Sequence, residues 1–374
     1  MDFTQNLGLT QKVSTILLSS LLCITCSVPA SASSPLLDQM SPTEISTETL
    51  VIDGNTFPIV ERIDNSHTVT RTYESDSPVA VKSIDTTKSL LISLGMNEES
   101  INKLSTDALN FLAESDDISI SVSYSSFDAA TGELTYLPKE EALQAAAELS
   151  AQQDAYISEH GYPSVPEIST FGTKPNESDV PGEFLDSYME MTHTVAHKGA
   201  GKYLFTTDAT WLTMPFFRGY DSIGSCAMDC TVTPSTAEGS ITYDIAYVMA
   251  GSETTYSDDE ETIGDIQWKS KEGWAGIAGV FNLPDNVVSD YVGGMDIIYS
   301  NVHAHFEYSG HVASPDETRW FNSIATYDHS TFNIDVSSPT VGIDLSGNVS
   351  ASIGLSLNRS TDTRNAIVEV THSA

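Results

Sequence analysis

Residues 296–312 read DIIYSNVHAHFEYSGHV. Taken at a period of two, the even positions Ile298, Val302, Ala304, Phe306, Tyr308 and Val312 form an apolar row. The odd positions Asn301, His303, His305, Glu307, Ser309 and His311 form a polar one. Successive side chains of a strand point to opposite faces, so the stretch predicts a strand with its even face on a core. The same two-residue alternation recurs on both sides. It is visible at Phe184–His197, Lys202–Thr213, Ser240–Met249, Thr318–Tyr327, Phe332–Leu345, Val349–Asn358 and Ala366–His372. Lys198-Gly199-Ala200-Gly201 supplies a turn between the first two. Many strands with almost no helical period predict an antiparallel β-sandwich over residues 183–374.

Upstream the pattern changes. Residues 161–182 carry Pro163, Pro166, Pro175 and Pro181 and read as a linker. Residues 33–160 predict a small α/β region, suited to a pro-segment, a partner-binding module or a spacer. Thr86–Leu94 is a helix stopped by Gly95, Asn97 caps a second, and Ser105 caps a third carrying Leu109 and Leu112. Ile118–Phe127 and Glu133–Leu137 pair as strands, and the Ala/Glu/Gln-rich residues 139–157 form another helix. The fold class is α+β overall, mainly β in the C-terminal part.

At the N-terminus, residues 13–28 are apolar, preceded by Lys12 and followed by Ala30-Ser31-Ala32. Basic residue, apolar core and small-residue site in that order predict a signal peptide over 1–32, hence a secreted, extracellular protein. The formal charge of −36 is spread over both halves of the chain. It repels phosphate backbones, so nucleic acid is excluded as a partner, and it favours solubility. Cys226 and Cys230 remain after processing and are expected to pair in an oxidising compartment.

Four groups of residues carry candidate chemistry. His303, His305 and Glu307 share one face and suit a divalent metal, with Asp328 opposite His303 if the following hairpin is symmetric about Pro315–Asp316. A solvated polar face is the alternative, and no other cofactor is indicated. Residues 341–358 alternate Val341, Ile343, Leu345, Val349, Ala351, Ile353, Leu355 with Gly, Ser, Asp and Asn. That pattern fits either an ordinary sandwich hairpin or the stem of a membrane-active β pore-former. Trp211, Phe216, Phe217, Tyr220, Trp268, Trp274 and Trp320 serve as core or as a stacking surface for a glycan. Asp258-Asp259-Glu260-Glu261 reads as an acidic turn. There is no Gly-x-Ser-x-Gly elbow and no His-Glu-x-x-His. The functional expectation is a non-enzymatic protein that binds an extracellular ligand, glycan or protein. The alternatives are the pore-former and a metal-dependent hydrolase centred on His303, His305 and Glu307.

Overall fold

A computed structural model describes residues 42–74, 81–128, 133–160, 186–213, 215, 220–227, 230–249, 255–262, 266–269, 276–283, 287–290, 295–312, 319–330, 342–343, 349–350 and 361–372. The expected signal peptide and the Pro-rich stretch 161–182 lie outside them.

The chain begins with strands β1 (Pro42–Ile52), β2 (Asn55–Asp64) and β3 (Val69–Glu74). Helices α1 (Ile84–Leu94), α2 (Glu98–Lys103) and α3 (Thr106–Ala113) follow, then β4 (Asp117–Asp128), β5 (Glu133–Leu137) and helix α4 (Lys139–His160). Next come β6 (Ser187–Lys198), β7 (Lys202–Thr213), β8 (Tyr220–Ala227), β9 (Cys230–Met249) and β10 (Thr255–Thr262). The remainder is β11 (Gln267–Lys269), β12 (Gly276–Asn282), β13 (Val287–Asp290), β14 (Met295–Val312), β15 (Arg319–Ser330), β16 (Gly342–Ile343), β17 (Val349–Ser350) and β18 (Thr361–His372).

The protein is mainly antiparallel β. One sheet of eleven strands runs β1-β2-β3-β4-β6-β7-β14-β9-β10, with β5 on β4 and β13 on β14. A second runs β11-β12-β8-β15-β18, and β16 pairs β17. The expected division at 161–182 does not divide the large sheet. β4 pairs β6 from Asp117↔His197 to Phe127↔Ser187, so strands from both sides of the Pro-rich stretch form one ladder. Residues 40–374 accordingly cluster as one unit.

Alternation sorts the large sheet into two buried faces. Met189, Met191, Val195, Tyr203, Phe205, Val302, Phe306 and Tyr308 join Ile223, Ile277, Phe281, Ala325 and Tyr327 of the second sheet in one core. Each large side chain so buried stabilises by about 1.5–3 kcal/mol. Hydrogen bonds cross the same space, from Ser225 Oγ to Tyr308 Oη at 3.1 Å and from Trp211 Nε1 to Tyr327 Oη at 3.3 Å. On the other face, Ile118, Ile120, Val122, Ala196 and Leu204 meet Leu90, Leu91, Leu94, Ile101, Leu104 and Leu112 of the helices.

The helices form where their caps dictate. Ser83, Asn97 and Ser105 each accept a hydrogen bond from the backbone N–H three residues on, and Gly95, at φ 110°, closes α1 in the left-handed conformation that favours glycine. The β6–β7 turn takes Ala200 and Gly201 at φ 55° and 65°.

Four expectations are corrected. First, β14 and β15 are not a hairpin. β14 lies between β7 and β9, whereas β15 belongs to the second sheet between β8 and β18. Asp328 therefore faces Ser222 and Thr363, not His303. Second, Asp258–Glu261 lies in β10, an edge strand with a register shift at that point. Third, β14 is not strictly alternating. A one-residue bulge at Asn301, at φ 51°, flips the parity, so Tyr299 packs on the core side against Tyr243.

Fourth, Cys226 and Cys230 are free and buried, and the expected bridge is not formed. The chain changes sheets between them, from β8 to β9, and each cysteine packs against a glycine. A Cβ on Gly276 would meet Cys226 Cβ at 2.5 Å, and one on Gly310 would meet Cys230 Sγ at 2.7 Å. Burial pushes both thiols up to about 12, so they act as small apolar groups. In protein lacking residues 1–32, a thiol reagent is expected to label neither cysteine in the fold and both on unfolding. A bridged protein would yield no label without reductant.

Trp211 and Trp268 are used by the core, Trp268 stacking on Phe306 at 5.2 Å. Phe216, Phe217 and Trp274 lie outside the described residues, as do most of 341–358.

Candidate functional site

His303, His305 and Glu307 project from one face of β14, as the alternation requires. That face is neither solvated nor open: their relative exposures are 0%, 2% and 4%. The strip beneath the helices is polar across three strands. Glu190, Thr192 and Thr194 come from β6. Thr206, Asp208 and Thr210 come from β7. Register sets them in rows: Thr210 beside His303, Asp208 beside His305, Thr206 beside Glu307.

Asp208 is the residue that alternation in β14 alone does not disclose. It is 2% exposed, and its Oδ1 lies 3.1 Å from His303 Nε2 and 2.8 Å from His305 Nδ1. His305 Nε2 lies 3.2 Å from Glu307 Oε2. Thr210 Oγ1 lies 2.9 Å from His303 Nδ1, and because a carboxylate oxygen only accepts, Nε2–H of His303 donates to Asp208. Burial disfavours the His305 imidazolium, but the Asp208 charge, with hydrogen bonds to Asp208 and Glu307, outweighs it and holds His305 up at about 9. Burial likewise disfavours the Asp208 carboxylate, but the two imidazoles outweigh it and hold Asp208 below the usual carboxylate range. At neutral pH Asp208 and His305 form a carboxylate–imidazolium pair, with Glu307 bonded to the far nitrogen of His305.

The helical cover is fastened to these residues. Ser105 N, at the N-cap of α3, donates to Glu307 Oε2 at 3.3 Å. Position three of α3 is Ala108, which has no carboxylate to reach back, so a strand residue fills that capping role. Glu99 Oε1 of α2 lies 3.7 Å from His303 Nδ1, and Asn97 Nδ2 donates to Glu190 Oε1 at 2.9 Å.

These contacts bear on the metal expectation. His303, His305 and Glu307 are brought together, but both imidazoles direct a nitrogen at Asp208 Oδ1. Among the described residues no three His, Cys, Asp or Glu side chains are arranged to hold a metal ion. In this structure the trio is hydrogen-bonded to Asp208 and to the cap of α3.

A second cluster has catalytic composition. His193 Nε2 lies 2.7 Å from Ser323 Oγ, and its Nδ1 lies 3.0 Å from both the Thr206 carbonyl and Thr207 Oγ1. Burial lowers His193 to about 4, so it is neutral, and both His193 and Ser323 are 0% exposed. A nucleophile must meet its substrate, so this pair instead joins the two sheets. Asp221 instead works within the second sheet, accepting across the β8–β15 pair from Tyr327 Oη at 2.6 Å and from His329 Nδ1 at 3.0 Å.

No protein-family profile and no curated protein matches the chain. A solved structure described as manganese lipoxygenase of Gaeumannomyces graminis and partial structure of zonadhesin of Komagataella pastoris aligns over 89% of this chain and 98% of that one. Its identity is 10% and its TM-score 0.19, a likeness that carries neither fold nor function.

Proposed function

We propose that this is an exported β-sandwich protein that works by binding an extracellular glycan or protein partner, not by catalysis. The observation that carries the reading is burial. Both clusters with catalytic composition, His303/His305/Asp208/Glu307 and His193/Ser323, are sealed at 0–4% exposure and hold the architecture together. Their polar chemistry is spent on cohesion, which leaves strand edges and loops for recognition. The charge of −36 favours a cationic or neutral partner over an anionic one. Immobilised mature protein is expected to retain a ligand from glycan arrays or surface-protein extracts. His305→Gln protein that remains folded is expected to retain the same ligand. Loss of binding in that folded variant, or silence across both screens, overturns the reading. Export predicts that the protein recovered from culture medium begins at Ser33.

One further observation favours a membrane-active second reading. β15 and β18 pair in one unbroken register, from Arg319↔His372 to Ser330↔Thr361. β16 and β17 pair Gly342↔Ser350 and Ile343↔Val349, only one residue off that register. β16 and β17 both come from the alternating sequence 341–358, which lies in the chain between β15 and β18. A tilted transmembrane strand needs about 9–11 residues, which the 30 residues between Ser330 and Thr361 supply on each side. Dye release from liposomes tests this. Release that is abolished by Ile353→Glu supports insertion, and intact vesicles at all lipid compositions exclude it.

A further inference from the structure

The polar strip holds more oxygen than its own hydrogen bonds use. Ser100 Oγ, Thr192 Oγ1, Thr194 Oγ1, Thr206 Oγ1 and Asp208 Oδ2 are all buried without a hydrogen-bond partner. Four of them fall in a two-by-two block of the β6–β7 ladder, with Thr192 opposite Asp208 and Thr194 opposite Thr206. Ser100 belongs to α2, whose Glu99 lies 3.7 Å from His303, and Ser105 at the cap of α3 donates to Glu307. The four strand oxygens therefore share one face of the sheet, the face on which the helices pack. A buried polar atom left unsatisfied costs about 1–3 kcal/mol, and four on one face are not sustained without an occupant.

The chemistry of that occupant follows from the donor set. Asp208 Oδ1 is taken by the two imidazoles, so Oδ2 presents the negative end of the carboxylate away from them. The other four atoms are hydroxyl oxygens, hard and neutral. We infer that this block of hydroxyls and Asp208 Oδ2 binds a monovalent metal cation, sodium or potassium, beneath the helical cover. A single carboxylate with hydroxyl donors suits such an ion better than zinc, which takes nitrogen and sulfur.

The test uses the whole mature protein dialysed into choline chloride and titrated with sodium or potassium chloride at constant ionic strength. A saturable rise in melting temperature on the order of 3 °C is expected for one of the two ions. The Thr194→Val, Thr206→Val double variant, which keeps Asp208 and its imidazoles, is expected to lose that response. Thr194→Ser, which keeps the hydroxyl, is expected to retain it and guards against misreading a folding defect. Equal melting in all three salts, the behaviour of a space filled by water alone, overturns the assignment. So does an unchanged response in the double variant.

Discussion

Asp208→Ala is expected to destabilise the protein by about 3–5 kcal/mol at neutral pH, the largest single-residue effect in the polar strip. The magnitude comes from what is left behind. Asp208 Oδ1 is the shared acceptor of two buried imidazoles, at 3.1 Å and 2.8 Å. Without it His305 keeps only Glu307, and His303 Nε2 faces an apolar gap. His305 then either stays charged in a low-dielectric site or gives up its proton and with it the bond to Glu307. Either outcome loosens Glu307, which accepts from the α3 cap. Asp208→Asn keeps the shape and one acceptor but loses the charge, so it is expected to fall between wild type and Asp208→Ala. Urea denaturation followed by tryptophan fluorescence measures both. A loss below about 1 kcal/mol for Asp208→Ala would show that the imidazoles find other partners and that the tether is incidental.

How much of this was legible in the sequence depends on the distance over which each feature is written. The three helices are local: Asn97, Ser105 and Gly95 announce their own caps, and the structure uses each one. The common face of His303, His305 and Glu307 is also local, because a period of two needs only the strand itself. The identity of what faces them is not. Asp208 stands in a strand of the same alternation, the lone carboxylate of Lys202–Thr213, but only the order β7-β14-β9 brings it to His305. The obvious sequence neighbour, Asp328, goes to the other sheet. Two hundred residues separate Ser105 from Glu307, so a buried polar face reads as a wet one until its cover is known. The bulge at Asn301 is invisible for a different reason. One extra residue leaves composition unchanged while it turns Tyr299 to the opposite face. The Pro-rich stretch suggests a boundary, yet β4 and β6 on either side of it pair in one ladder.

The stabilisation supplied by His305 is expected to disappear on the alkaline side. Its folded pKa is raised from an ordinary 6.5 to about 9. The folded state therefore binds the proton more tightly than the unfolded chain. The contribution is fully present below about pH 6.5 and is lost as pH rises through about 9, a difference on the order of 3 kcal/mol. Asp208 sets the acid limit, because a depressed carboxylate contributes above its ordinary range and fails only as pH falls through its folded value. The groups around His305 are Asp208 on β7, His303 and Glu307 on β14, Glu99 on α2 and the exposed Glu238 opposite Glu307 on β9. The measured curve of the whole protein will not follow His305 alone. Lys82, lowered by burial to about 8, works in the opposite sense, since its cost falls as pH rises from there towards 10.5. The informative quantity is the difference between wild type and His305→Gln, in which Lys82 cancels. That difference should be largest near pH 6 and shrink by pH 10. Hydrogen exchange should locate the change in α2 and α3, whose cap amide at Ser105 depends on Glu307. A difference that is flat with pH would mean that His305 is neutral in the fold. The strip would then be held by neutral hydrogen bonds instead of charge.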